Sequence, residues 1–584
     1  MTDKTWDVLV LGGGPAGCFA AIKAKEAGAK DVLLVDKGHV GKSGCATFGA
    51  GSFKGYVPME DDFDLWYGKA VEEGCYLNDQ EWLETHLNEV FERVKDMERM
   101  GIDFMKNPDG SYRRIEGQGS SEQRPIKTLM FYGPALMDTM RKATKKAGVK
   151  IQDKVMMCKL LHDKNDRSIV RGALGFHLET GEFHAYKARA VVTSTGAQSY
   201  KSNYAFHKMV TGDSHIMGLE AGAELANYEF GCHHLSYAGF DTTGMNIIQG
   251  CNAFFVNKDG DLFTEWYDPE YKDHGCLNRL STSMALEATA DRAPLALDFS
   301  AYTEEEMKLF EAGLPILYRA FERAGIIKDG KFVQKRLEWV SSFCGNVGFG
   351  GGLFIDKNCK TSLEGLYAAG DASYGPTAGV EGFCAYAIPF ATTSGARAGG
   401  SAAAYARDIG DVDVDNEQIT EFIDELKEPM QRTVGIEPDQ VVLGVQEALF
   451  PKDVYILRTE QNLQDALDKV LYIKENELPY LQAYDSHYLR MVLEAKNMVL
   501  CAEMFLKAAL MRKETRGSHL RMDYPEMDNT NWLKWIIIKR SNGQLDLTTR
   551  DVPIEKYRIK PPAAKLKHPS LEAMKECRGC NHGY

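Results

Sequence analysis

The stretch that most constrains this chain is Val8-Leu-Val-Leu-Gly12-Gly13-Gly14-Pro15-Ala16-Gly17, followed by a helix-compatible run and then Val32-Leu-Leu-Val-Asp36. The pattern predicts an apolar strand, a glycine turn, a helix and a second strand that ends on an acid. Gly12 permits the tight turn, Gly14 lets backbone approach a pyrophosphate, and Gly17 lets helix and strand pack closely. The helix N-terminus, near Ala16, presents N–H groups and a positive dipole end to phosphate. Asp36, with Lys37 beside it, follows Gly17 by about 20 residues, the spacing of an acid that binds a ribose hydroxyl. A Gly-x-Gly-x-x-Gly alone says little. Between two strands, with the acid in register, it specifies dinucleotide binding.

At 584 residues the chain exceeds one hydrophobic core and should form two or three domains. Its formal charge of -14 argues against nucleic acid as a partner, because neutralising phosphates needs a basic surface. The start, Met1-Thr-Asp-Lys, lacks an apolar signal segment. The thirteen cysteines are scattered, as reduced thiols in a cytoplasmic protein would be. No apolar run approaches the ~18 residues of a membrane span.

Taken in order, Gly41-Lys42-Ser43-Gly44-Cys45 and the small residues after it suit a loop passing a flat ligand at close range. Helical periodicity marks Asp79–Met100 and Tyr132–Gly148. Short strands follow from Lys150 to Ala190, with hairpin signals at Lys164-Asn-Asp and Thr180-Gly. The strand Ala190-Val-Val-Thr-Ser-Thr195-Gly196 then offers a second contact to the nucleotide, and Asp213 sits near a helix start. Composition changes over Asn227–Val340, where one helix is expected at Thr303–Ala324. The first style returns at Gly350-Gly351-Gly352 and Gly370-Asp371, before a small-residue helix to Gly400. Residues 418–515 read as helical, and the remainder as an irregular tail. The expected architecture is α/β: a Rossmann-like nucleotide domain (1–234 and 346–410), an inserted α+β capping domain (235–345), a helical domain (411–520) and a C-terminal tail (521–584).

These motifs resemble the flavoprotein subunits of the succinate dehydrogenase and fumarate reductase superfamily, and most of all the alpha subunits of adenylylsulfate reductases. The resemblance rests on the opening unit with Ser43-Gly44, on Thr211-Gly-Asp213, on Gly365-Leu-Tyr-Ala-Ala-Gly370-Asp371, and on the stretches Arg171–Ala190 and Arg521–Lys534. It implies an extended FAD, with Asp36 at the adenosine ribose and Asp371 at the ribitol. The implied cofactor set is Gly12, Gly14, Ala16, Gly17, Asp36, Lys37, Ser43, Gly44, Thr195, Gly196, Asp213, Asp371, Ala387 and Ile388. Family members that attach flavin covalently use a histidine after the serine; here Gly44 follows Ser43, which implies non-covalent FAD. Backbone N–H groups at Ala387-Ile388 would stabilise negative charge on reduced flavin.

For the substrate, Tyr228-Glu229-Phe230-Gly-Cys-His233-His234 resembles the segment carrying a substrate-binding histidine, and His234 takes that place. Arg279, on Cys276-Leu-Asn-Arg279, is the candidate for the arginine that the family sets over the flavin. The second family histidine is replaced by Val347, and the late arginine is absent from Gly375–Tyr386. Losing charge-assisted hydrogen bonds of roughly 1.5–3 kcal/mol each disfavours dicarboxylate turnover, and equally literal adenylylsulfate reduction. The implied activity is two-electron chemistry at flavin N5 on a small, anionic substrate, with electrons exchanged with an iron–sulfur, ferredoxin-like subunit in a hetero-oligomer. Two alternatives stay open: a stand-alone ene-reductase or dehydrogenase acting on a neutral or monoanionic substrate, and an electron-transfer flavoprotein without its own substrate. Cys577, Cys580 and His582 have metal-ligand spacing but lack a fourth ligand nearby, so no metal site is assigned.

Overall fold

The computed structural model describes residues 4–572 except 122, 203–206, 349, 381–383 and 569. Ten elements position the site: β1 (Thr5–Leu11), α1 (Pro15–Glu26), β2 (Val32–Val35), β3 (Phe183–Thr193), α2 (Asp213–Ala221), β4 (His233–Tyr237), α3 (Leu277–Thr289), β5 (Arg336–Phe343), α4 (Ala387–Arg407) and α5 (Ser486–Met511).

β1 and β2 pair in parallel, Val8 opposite Val32, and β1 pairs in parallel with β3, Val8 opposite Ala190. Both faces of these strands are covered, which is why they read as unbroken apolar runs rather than alternating ones. The seven-stranded sheet is completed by Lys150–Gln152 beyond β2, by Leu366–Ala368 on β3, and by the antiparallel strands Val170–His177 and Val155–His162. The hairpins fall at the two expected turns.

α1 starts with Pro15 in its first turn, where the missing N–H costs nothing. A Cβ at Gly395 or Gly399 of α4 would lie 2.3 Å from the Ala16 carbonyl oxygen or 2.1 Å from that of Ala20. The small residues of α4 thus let two helix backbones meet, and not only helix and sheet.

The inserted region builds a four-stranded antiparallel sheet in the order β4, β5, Ala296–Asp298, Phe254–Val256, with α3 beside it. The single helix expected at Thr303–Ala324 is two, Glu304–Gly313 and Pro315–Arg323, because Pro315 opens the second. Between the early helices a small sheet intervenes, Ser52–Phe53, Arg114–Glu116 and Lys127–Met130.

Helices from Asn416–Lys427 to α5 form the helical region. The tail is not irregular throughout. Lys534–Ser541 and Gln544–Asp551 make a hairpin turning at Asn542-Gly543, both at positive φ, and its first strand pairs with Leu225–Ala226. No helix among the described residues is long and apolar enough to cross a membrane. Cys577, Cys580 and His582 lie outside the described residues.

Candidate functional site

At the C-terminal ends of β1, β2 and β3 a cavity of about 500 Å³ runs from the glycine turn to the cap. Of the sequence-derived cofactor set, Gly12, Gly14, Ala16, Asp36, Lys37, Ser43, Gly44, Thr195, Gly196, Asp213, Asp371, Ala387 and Ile388 line it. Gly17 does not. A Cβ there would sit 1.9 Å from the Gly12 carbonyl oxygen, so its role is to let α1 press against the turn below the cavity. Gly12 itself is at φ +98°, and its Cβ would collide with the Ser194 carbonyl at 2.5 Å.

The lining fits an extended dinucleotide. A Cβ added at Gly14, Gly44 or Gly348 meets nothing within 4 Å, so bare backbone faces the cavity at each place. Among the described residues, the N-termini of α1 and α4 carry no side-chain cap and no acid in the first turn, an arrangement suited to an anion. Asp36 spans Gly13 N–H and Gly38 N–H, both at 2.7 Å. Burial raises the Asp371 carboxyl to about 6, opposed among the described residues by the Gly348 N–H at 3.1 Å. A buried acid with that little support suits a ligand bringing hydroxyl donors.

The nucleotide end also holds residues that no local motif marks. From α5, Arg490 and Glu494 reach the same cavity. Glu494 accepts from Lys37 at 3.1 Å, Lys201 at 2.7 Å and Arg490 at 2.6 Å, while Lys37 also pairs with Asp213 at 2.8 Å. Burial opposes the Glu494 charge, but these three cations pull its carboxyl down to about 2.

At the cap end, β4 places His234 on the wall, with His207, Lys208, Cys232, Thr243 and Val347 nearby. Burial, with His207 and His233 adding to it, holds the His234 imidazole well below its usual range. Burial likewise takes His207 down to about 3. Both rings are therefore neutral at pH 7.

Arg279 is a correction to the sequence-derived site. Leu277 of α3 lines the cavity, and two residues further on is about 200° of helix rotation. Arg279 accordingly points away, pairs with Asp268 at 3.2 Å and stacks on the Tyr271 ring at 5.0 Å. Burial works against its charge, yet Glu73 and Asp268 keep it firmly cationic. Its charge is consumed within the protein.

Residues 7–387 match the FAD binding domain family, and residues 446–566 match the fumarate reductase flavoprotein C-terminal family. The chain belongs to the succinate dehydrogenase and fumarate reductase flavoproteins. Among relatives of this flavoprotein family, an uncharacterised FAD-dependent oxidoreductase of Methanocaldococcus jannaschii is 28% identical, over 91% of this chain and 96% of its own. A CoM/CoB fumarate reductase component of Methanothermobacter marburgensis is 26% identical, over 91% of this chain and 97% of its own. The fold of the flavoprotein in E. coli quinol fumarate reductase superposes with TM-score 0.84 at 23% identity, covering 96% of this chain and 99% of the other. Adenylylsulfate reductase of Archaeoglobus fulgidus superposes at 0.81 with 22% identity, covering 95% and 97%. This flavoprotein is an FAD-dependent oxidoreductase, and its overall shape is equally that of both branches.

Proposed function

We propose that this flavoprotein is the catalytic subunit of a two-electron oxidoreductase whose small substrate carries a single negative charge and binds beneath the cap. The observation behind this reading is the composition of the cap-end wall. Val347 occupies one place where an anion-binding histidine would stand, and Arg279 is turned away to Asp268. Among the described lining residues there, Lys208 is the charged donor, and His207 and His234 are neutral. One ammonium and two imidazoles match one carboxylate or sulfonate better than two, because each unpaired buried charge is costly.

FAD, when bound in the cavity, supplies two-electron chemistry at flavin N5, with electrons exchanged with a separate iron–sulfur protein. The chain's own residues hold the reactants. α4 directs its N-terminal N–H groups at the flavin end, Lys208 binds the substrate anion, and His234 donates or accepts a proton at the reacting carbon or its leaving atom. Val347, packed with Ala197 and Val210, excludes water from the same wall.

The test is anaerobic titration of the flavoprotein, reduced or oxidised, with fumarate, succinate, adenylylsulfate and a series of monoanionic enoates and sulfonates. A monoanion should change the flavin spectrum faster than any dicarboxylate. The reading is overturned if dicarboxylates react with the higher kcat/KM, or if no small molecule acts and only an iron–sulfur protein alters the spectrum.

A further inference from the structure

One cluster at the cap end has no part in holding a dinucleotide. The donor atoms of His207, His234 and Cys344 all lie within 4.8 Å of one another. The sequence gives no hint of it, since the three residues belong to different segments and share no ligand spacing. The sheet brings two of them together. In the antiparallel β4–β5 pair His234 stands opposite Ser342, and just past the strand the Cys344 N–H donates to the Cys232 carbonyl at 2.9 Å. Strand side chains alternate faces with period two, so Cys344 shares the face of Ser342 and His234. His207 approaches from the short helical turn His207–Met209, its ring centroid 5.2 Å from that of His234 at an interplanar angle of 67°.

We propose that His207, His234 and Cys344 form a binding site for a divalent transition metal of the zinc class, with an open coordination position facing the flavin cavity. The ring geometry suits it. With Zn–N bonds of about 2.0–2.1 Å, two imidazoles on one tetrahedral ion have centroids about 5 Å apart. Donors on such an ion sit roughly 3.5 Å apart, so the cluster closes by about 1 Å of side-chain movement. Two histidines and a thiolate, borderline and soft donors, match zinc rather than calcium or magnesium.

The surroundings agree. His207 and Cys344 are buried, at 6% and 0% exposure, and both histidines line the cavity. Metal binding would release the thiol proton of Cys344. The Ser202 hydroxyl donates to Cys344 Sγ at 3.6 Å, an outer hydrogen bond that would orient and stabilise a thiolate. With the metal bound, His234 serves as its ligand instead of moving a proton, and the dication supplies the positive charge that Val347 and Arg279 withhold from the substrate. That consequence rests on the substrate site proposed above; the metal site itself does not.

The test uses the holoprotein carrying C577S and C580S, which removes a cysteine pair whose sequence spacing could itself bind zinc. It is incubated anaerobically with zinc chloride, dialysed, and assayed for zinc and flavin content and by zinc K-edge X-ray absorption, to which flavin is invisible. The expected result is one zinc per chain with one sulfur at about 2.3 Å and nitrogen or oxygen at about 2.0–2.1 Å. Adding C344S should remove the sulfur scatterer and weaken zinc retention roughly 10-fold or more. H207Q should weaken retention while leaving the sulfur in place, and serves if C344S fails to fold. The proposal is overturned if the C577S/C580S protein retains no zinc, or if its zinc has no sulfur neighbour. It is equally overturned if C344S gives an unchanged spectrum. Flavin reactivity with substrates is measured separately, so failure of the metal site leaves the substrate reading standing.

Discussion

Replacing Glu494 by Gln tests how the nucleotide end is assembled. The carboxylate is only 3% exposed and is shared by Lys37, Lys201 and Arg490. Its carboxyl falls from the ordinary value of 4.5 to about 2. At 1.36 kcal/mol per unit that difference is worth about 3 kcal/mol, within the range for removing one partner of a buried pair. A depressed carboxylate stabilises the fold fully above its unfolded value and loses that contribution as pH falls through the folded one. E494Q should therefore lie about 3 kcal/mol below wild type at pH 7, and the gap should narrow steadily from about pH 4.5 towards pH 2. Urea unfolding followed by tryptophan fluorescence at several pH values reads this as a shift in midpoint at constant slope. Flavin release measured in parallel should be faster in the variant, because Lys37 and Arg490 would shift once their common anion is gone. Equal midpoints at pH 7, or a gap that does not narrow in acid, would refute the reasoning.

Gly14→Val should give a folded but colourless protein, since its side chain meets only cavity; a full flavin spectrum would contradict this. Gly17→Ala should instead collapse the yield of soluble protein, because its methyl would sit 1.9 Å from the Gly12 oxygen; a soluble variant with wild-type melting would count against that packing. His234→Ala should keep its flavin and lose about 100-fold in kcat/KM; unchanged kinetics would remove His234 from the reaction. Arg279→Ala should cost about 3 kcal/mol in urea by stranding Asp268, with kcat/KM within about threefold of wild type; a stable variant with crippled turnover would restore Arg279 to the active site.

What the sequence makes legible follows from the range of the physics involved. The turn from Gly12 to Gly17 is constrained by backbone collisions a few residues apart, so its glycines betray it, and Asp36 follows at a fixed spacing. The Asn542-Gly543 hairpin is equally local, but its charged flanks resemble a solvated tail and hide it. Arg279 sits in the expected segment, yet the rotation of α3 aims it elsewhere, and rotation depends on which face the sheet covers. Arg490 and Glu494 look like an ordinary four-residue ion pair on a helix surface. Their significance lies in Lys37, whose contact with Glu494 spans 457 residues of sequence. The same holds for His207, His234 and Cys344, which only the strand register and the folding of the cap bring together.

The placement of α5 bears on how such a protein is made. The glycine turn leaves the ribosome long before Arg490 and Glu494, which complete the nucleotide end of its cavity. A nascent chain can lay down β1, α1 and β2 early but has no finished berth for the nucleotide until the helical region docks. Flavin capture should then follow the docking of α5. Chains truncated before Ser486 should accumulate without colour even where the Rossmann core has formed.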